Sequence, residues 1–264
     1  MGILNVTPDS FSGDGSLDVA TSVAHAAAHA LDGADLIDVG AESTRPGYVP
    51  IDAQTERERL IPVVRALRAA QPGALLSIDT FKADVFAAAH RAGGDMLNSI
   101  WGLNDALLNV ARACDAPIVI MHNKRVAVYE GDVVDEVIGS LERDAARATA
   151  AGIPPEHVIL DPGIGFGKTA DHNLAVLASL GRLVALGYPT LVGTSRKSTI
   201  GRLTGRDVGS RGYGTAATIA LAIAAGVDMI RVHDVSAARD VARTTDAIVR
   251  GWRPNGWTDA LQER

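Results

Sequence analysis

Short apolar runs alternate with alanine-rich, helix-length runs eight times along this chain. The strand-like runs fall at residues 2–6, 36–39, 75–79, 96–100, 118–121, 158–160, 191–193 and 229–232. The helical runs fall at 18–31, 53–70, 82–92, 105–114, 133–151, 172–185, 197–203 with 215–225, and 237–250. A helix between two strands carries the chain back to its starting edge, so consecutive strands pair in parallel. Eight such units match the size of a closed (β/α)8 barrel, typically about 250 residues. An open, doubly wound sheet is the other solution. The barrel is preferred because the strands are alike in length, apolar character and polar endings. The reading is therefore α/β, one TIM barrel domain over residues 1–264, with residues 252–264 a polar tail that frays.

Composition narrows the function. Hydrophobic residues make up 47% of 264, enough for a large core, and aromatics only 4%. A net charge of −6 argues against general nucleic-acid binding. No apolar run approaches the roughly 18 residues of a membrane helix, and no basic leader opens the chain, so a cytoplasmic protein with no membrane partner is expected. The single cysteine, Cys114, excludes an internal disulfide and reads as a buried structural thiol in a reducing compartment.

In a barrel the C-terminal strand ends converge on one face, where ligands bind. Those ends carry Asn5, Thr7 and Asp9; Asp38, Glu42, Ser43, Thr44 and Arg45; Asp79 and Thr80; Asn98 and Ser99. The later ends carry His122 and Asn123; Asp161; Ser195, Arg196 and Lys197; and Arg231, His233 and Asp234. Asp79, Asn98 and Asp161 offer acceptors and an amide that suit a planar heterocycle rich in N–H groups. Arg45, Lys197, Arg231 and His233, with Asn5 nearby, suit a phosphate or diphosphate. The helix that opens at Lys197 and Ser198 presents free N–H groups to a second small anion. His122 lacks the partner spacing of a metal ligand and reads as a pocket-lining histidine.

The segment Ile159-Leu-Asp-Pro-Gly-Ile-Gly-Phe-Gly-Lys168 is the densest of these. A strand ends on Asp161, and three glycines with Phe166 among them make a backbone-permissive loop. Alone, Asp161 is as well explained by capping the next turn as by binding a ligand. The glycines do not form a dinucleotide fingerprint, because no ribose-binding acid follows at the right distance.

Together the strand-end motifs resemble dihydropteroate synthase. They are Gly2-Ile-Leu-Asn-Val-Thr-Pro-Asp-Ser-Phe-Ser12, Glu42-Ser-Thr-Arg-Pro-Gly47, Ser77-Ile-Asp-Thr80, Asp161-Pro-Gly-Ile-Gly-Phe-Gly-Lys168, Ser195-Arg-Lys-Ser198 and Arg231-Val-His-Asp234. The resemblance implies a (β/α)8 barrel that joins 6-hydroxymethyl-7,8-dihydropterin diphosphate to para-aminobenzoate, releasing diphosphate. It gives the pterin ring to Asp79, Asn98, Asp161, Lys197 and Arg231. It gives the diphosphate to Asn5, Arg45, Arg231 and His233, with magnesium on Asn5. It gives the aminobenzoate, with competing sulfonamides, to Thr44, Pro46, Phe166, Lys197 and Ser198. The catalytic set becomes Asp79, Asp161, Lys197, Arg231 and His233, and a homodimer is implied.

Some positions depart from the family pattern. Ser99 stands where Asp is usual, and the first loop places its acid at Asp14. The loop after Met121-His122 is short, and the sequence begins inside strand one. Loops 8–16 and 44–50 are expected to act as lids. Two other functions fit a pterin-binding barrel: a methyltetrahydrofolate-dependent methyltransferase, and a paralogue that binds without turnover. The methyltransferase would have no use for Ser195-Arg-Lys-Ser198 or Arg231-Val-His233.

Overall fold

Successive side chains of a strand face opposite ways, so every second residue shares a surroundings. That parity organises this molecule. The computed structural model describes residues 1–7, 18–42 and 49–258. Its parallel strands are β1 (Gly2–Asn5), β2 (Leu36–Gly40), β3 (Leu75–Asp79), β4 (Met96–Ser99), β5 (Ile118–Met121), β6 (Val158–Asp161), β7 (Leu191–Val192) and β8 (Met229–Ile230). The helices are α1 (Val19–Asp32), α2 (Ala53–Ala70), α3 (Ala83–Arg91), α4 (Asp105–Ala113), α5 (Val133–Ala150), α6 (Ala170–Ala178), α7 (Leu180–Val184), α8 (Ser198–Thr204), α9 (Gly212–Ala224) and α10 (Val235–Val249).

Strands β1 to β6 form one sheet in sequence order, and β7 pairs with β8. Parallel bridges Leu160–Thr190 and Gly2–Val232 join the two sheets at both seams. The backbone bonds there are Leu160 N–H to the Pro189 carbonyl (2.8 Å) and Ile3 N–H to the Val232 carbonyl (3.0 Å). The result is the expected (β/α)8 barrel.

One parity of each strand feeds the core between strands and helices: Leu4, Ile37, Val39, Leu76, Ile78, Leu97, Ile118, Ile120, Val158, Leu160 and Val192. The other parity fills the barrel. Met96, Val119, Ile159 and Leu191 pack there as an apolar plug, with Leu36 and Met229 against it. Two residues further along those strands stand Asn98, Met121, Asp161, Gly193, Asp38 and Arg231. A strand that is apolar at one inward position and polar at the next carries its own boundary between plug and site.

Most elements fall where the sequence puts them, within a residue or two. One expected helix does not: residues 172–185 form two. Thr169 caps α6 early, its hydroxyl accepting from His172 N–H while the His172 ring accepts from Thr169 N–H. The chain then breaks at Ser179 (φ −113°, ψ 16°), and Leu180 and Leu183 both enter the main core. Cys114, expected to be buried, is half-buried at the end of α4, and burial pushes its thiol pKa up. At the start of the tail, Trp252 N–H bonds the Asp246 carbonyl (3.1 Å), and Arg243 lies over its ring (5.4 Å). Among the described residues no helix is long and apolar enough to cross a membrane.

Candidate active site

The polar ends of the inward-facing rows meet in one open cavity of about 480 Å³, solvent at its mouth included. Asp79, Asn98, Asp161, Phe166, Ser195, Lys197, Arg231 and His233 line it, with Ile3, Ile100, Met121 and Ile164 as apolar walls. Seven of the twelve residues expected at the site therefore share one space. Asn5 sits at the end of β1, half-buried, and Ser198 is exposed at the start of α8. Thr44, Arg45 and Pro46 lie outside the described residues, as do Asp9, Asp14 and most of both expected lids.

The floor of the cavity is anionic. Asp79 is buried, and its Oδ1 has no hydrogen-bond partner among the described residues. Its other oxygen accepts from Nη2 of Arg231 at 3.1 Å. Burial first, then the charge of Asp38, push the Asp79 pKa up to about 7, against the pull of Arg231. Asp161 is also raised by burial, opposed by the Gly163 N–H and by Lys197 and Lys168. An acceptor left open in a buried place is costly unless something donates to it. The floor is thus built for a ligand that brings N–H groups.

Asp161 answers both of the alternatives posed for it. Its Oδ1 accepts the Gly163 N–H at 2.7 Å, which fixes the turn after β6, and the same carboxylate lines the cavity. Gly163 must be glycine: its φ is +68°, and a Cβ would run into the His122 carbonyl oxygen. Gly165, at φ +81°, lets Lys197 approach to where a Cβ would stand 2.8 Å from its Cδ. Lys197 Nζ then rests 3.9 Å from the centre of the Phe166 ring. Burial lowers the Lys197 pKa to about 7, with Asp161 holding it up.

Buried Asn173 ties this wall together. Its Oδ1 accepts the Gly165 N–H (2.7 Å), and its amide donates to Thr199 Oγ1 (3.0 Å) at the start of α8. His233 is held by Ser195, whose Oγ lies 2.9 Å from Nδ1 and accepts the His233 N–H at 3.2 Å.

Two residues without a role in the sequence reading matter here. Asp38, fully buried, binds Arg231 Nε (2.6 Å), Asn98 Nδ2 (3.0 Å) and Ser77 Oγ (2.6 Å). Lys168 donates to the carbonyls of Gly163 (3.1 Å) and Phe166 (3.2 Å) and sits 2.9 Å from His122 Nδ1. Burial takes the Lys168 pKa down to about 7. His122, stacked on Tyr129, is lowered to about 4 by burial and by Lys168 and Lys124; it is neutral and, expected to line the pocket, packs instead against Lys168 and Tyr129. The signal for Lys168 was its place at the end of the glycine motif; for Asp38 it was a lone carboxylate inside an apolar strand.

Ser99, the departure at strand four, turns to its own loop and bonds the Gly102 carbonyl (2.8 Å). Beside the cavity, Lys82 pairs with both Glu42 and Glu56, which are almost wholly buried. Glu42 also accepts the Ile51 N–H at 3.1 Å. One ion cluster therefore ties the end of β2, the segment entering α2 and the chain after β3.

Known proteins resemble this chain over nearly its whole length. A family model described as pterin binding enzyme matches residues 1–233. The dihydropteroate synthase of Bacillus subtilis is 42% identical, over 94% of this chain and 88% of the relative. The solved dihydropteroate synthase of Clostridium difficile, determined in the presence of pteroic acid, superposes with a TM-score of 0.90. It is 43% identical over 95% of this chain and 96% of its own. That of Xanthomonas albilineans with 4-aminobenzoic acid gives 0.88 at 41% identity, over 94% and 92% of the two chains. That of Yersinia pestis in a sulfonamide drug complex gives 0.88 at 37% identity, over 96% and 94%.

Proposed function

The chain belongs to the pterin-binding enzyme family, among its dihydropteroate synthases, and we propose that its cavity joins 6-hydroxymethyl-7,8-dihydropterin diphosphate to para-aminobenzoate. It is a transferase of folate biosynthesis. The observation that carries the assignment of residues is the open Oδ1 of Asp79 beside Asn98 and Asp161, with Lys197 and Phe166 forming the adjoining wall.

The pterin ring lies on that floor. Asp79 and Asp161 accept its N–H groups, Asn98 offers the carbonyl of an amide whose nitrogen is already spent on Asp38, and Lys197 donates. Breaking the bond between the exocyclic carbon and diphosphate leaves positive charge spread over the dihydropterin. The two carboxylates stabilise that charge as it forms. His233 and Arg231 face the departing diphosphate, together with Arg45. Because Arg231 already serves two carboxylates, His233 carries more of that load. The arylamine is nucleophilic as it stands, so no base has to activate it. Phe166 and Lys197 line its ring; the family resemblance adds Thr44, Pro46 and Ser198 to the same subsite. Sulfonamides compete for the same place. Excluding water there protects the cation from hydrolysis.

Asn5 is the residue proposed for magnesium. Among the described residues no three His, Cys, Asp or Glu side chains gather into a metal cluster. Magnesium keeps several waters and needs only one or two protein ligands when phosphates supply the rest, so an amide oxygen at a strand end fits it. Bound with the diphosphate, the ion would neutralise charge on the leaving group.

We also place the protein in the cytoplasm, which recovery in the soluble cell fraction would test, and propose a homodimer through α9 and α10. Exposed apolar side chains on these helices support it: Tyr213 (95% exposed) and Leu221 (69%) on α9 and Ile248 (78%) on α10. Sedimentation at the dimer mass is expected; a monomer mass would remove the proposal.

The reaction is tested by diphosphate release with magnesium present. Release is expected only when both substrates are supplied, and Lys197→Ala and Asp161→Ala should each lose activity while keeping the folded circular-dichroism spectrum. Release without aminobenzoate, or none, refutes the assignment.

A further inference from the structure

Among the described residues Asp38 is the one carboxylate at the site with no exposed side-chain surface, and it stands in the middle of β2 with apolar neighbours on either side. A charge in that place persists only with several donors. It has three. Ser77 Oγ takes Oδ1 at 2.6 Å, while Arg231 Nε at 2.6 Å and Asn98 Nδ2 at 3.0 Å share Oδ2. Two of the three belong to residues that line the cavity.

The arrangement of Arg231 is unusual for an arginine between two carboxylates. Arginine and carboxylate favour a side-on pair with two parallel bonds. Here the guanidinium edge is divided. Nε goes to Asp38, Nη2 goes to Asp79 at the longer 3.1 Å, and Oδ1 of Asp79 is left without a donor. Were Nε released, Arg231 would have every reason to fork onto both oxygens of Asp79. The acceptor that the heterocycle needs would then be taken by the protein itself.

We propose that Asp38 is a positioning residue for the pterin half of the site: by holding Arg231 Nε and the Asn98 amide, it keeps Arg231 from forking onto Asp79 and leaves Oδ1 of Asp79 open to a planar heterocycle with N–H donors. The inference rests on the pterin reading above. It differs from a simple staple between β2, β3, β4 and β8, which would support both substrates alike.

Asp38→Asn keeps the shape and one acceptor oxygen but removes the charge that competes for Arg231. In steady-state kinetics of diphosphate release, KM for the dihydropterin diphosphate should rise at least about fivefold, while KM for aminobenzoate moves by less than about twofold. In an Arg231→Met background, the same Asp38→Asn change should alter the pterin KM by less than about twofold, because the residue it restrains is gone. A smaller rise in the single variant, a parallel rise in both KM values, or an undiminished effect in the Arg231→Met background overturns the proposal. A crystal structure of the unsubstituted protein with the pterin substrate tests it without any variant. Arg231 Nε should remain on Asp38 with a pterin nitrogen at Asp79 Oδ1; Arg231 chelating Asp79 there would refute it. Failure of the unsubstituted protein to release diphosphate would instead defeat the pterin reading, before any variant is compared.

Discussion

Replacing Lys82 by methionine would remove the one cation that, among the described residues, pairs with both buried carboxylates Glu42 and Glu56. Side-chain exposure is 3% for Glu42, 0% for Glu56 and 17% for Lys82, so little solvent screens the cluster. Burial by itself raises the Glu56 pKa, while Lys82 opposes the rise. Lys82 is held above its ordinary value because, although burial works against its charge, both glutamates outweigh it. Methionine fills most of the same volume, so the loss is chiefly electrostatic. Breaking a buried pair from one side costs about 3–5 kcal/mol. For a chain of this size, roughly 2–4 °C per kcal/mol puts the fall in melting temperature at roughly 6–20 °C near pH 7.5. The pH dependence identifies the cause. A glutamate whose folded pKa exceeds its unfolded value keeps a proton that the unfolded chain sheds. Stability then falls by about 1.4 kcal/mol per pH unit as pH rises from the unfolded value toward the folded one. A glutamate ordinarily titrates at 4.5, so the deficit of Lys82→Met should be small near pH 4.5 and widen steadily above it. Differential scanning calorimetry of both proteins from pH 5 to 8 measures this. A loss under about 1 kcal/mol, or a loss that does not grow with pH, would show that the cluster is solvated and the argument wrong.

The glycine loop and the floor yield two more expectations. Gly163→Ala must adopt φ near +68° and meet the His122 carbonyl, so it should lose at least about 2 kcal/mol and most of the synthase activity; an unchanged melting curve would refute the close approach. Burial pushes the Asp79 pKa up to about 7, and only its ionised form accepts N–H bonds on both oxygens, so kcat/KM for the pterin should climb about tenfold per pH unit below 7; a profile flat from pH 5.5 to 7 would exclude the ionised form as the binding species.

The architecture was legible because its signal is repeated and local. Strand β3 and helix α2 fall on the predicted residues, and the polar ends of eight apolar runs pointed to one face. What the runs did not disclose is depth. Asp38 and Asp79 both belong to the inward parity, but Asp38 pairs in register with Ser77, one layer below Asp79. A sequence shows that both face inward, and the sheet register shows which one a ligand meets. Lys168 escaped for another reason. Its partners, His122 and the carbonyls of its own loop, come together only once the glycines have folded the loop back. The break at Ser179 was hidden because nothing in an alanine- and leucine-rich stretch forbids a continuous helix. Packing of Leu180 and Leu183 decides it.

The two seams of the barrel have a consequence beyond topology. Six strands make a continuous arc, while β7 and β8 contribute two residues each and join that arc through single bridges. Asp79, Asn98 and Asp161 sit on the long arc; Lys197, Arg231 and His233 follow the short one. A substrate touching both sets therefore works as a rivet across the weakest joints of the wall. By linkage, binding across both sets should raise the stability of the folded cylinder.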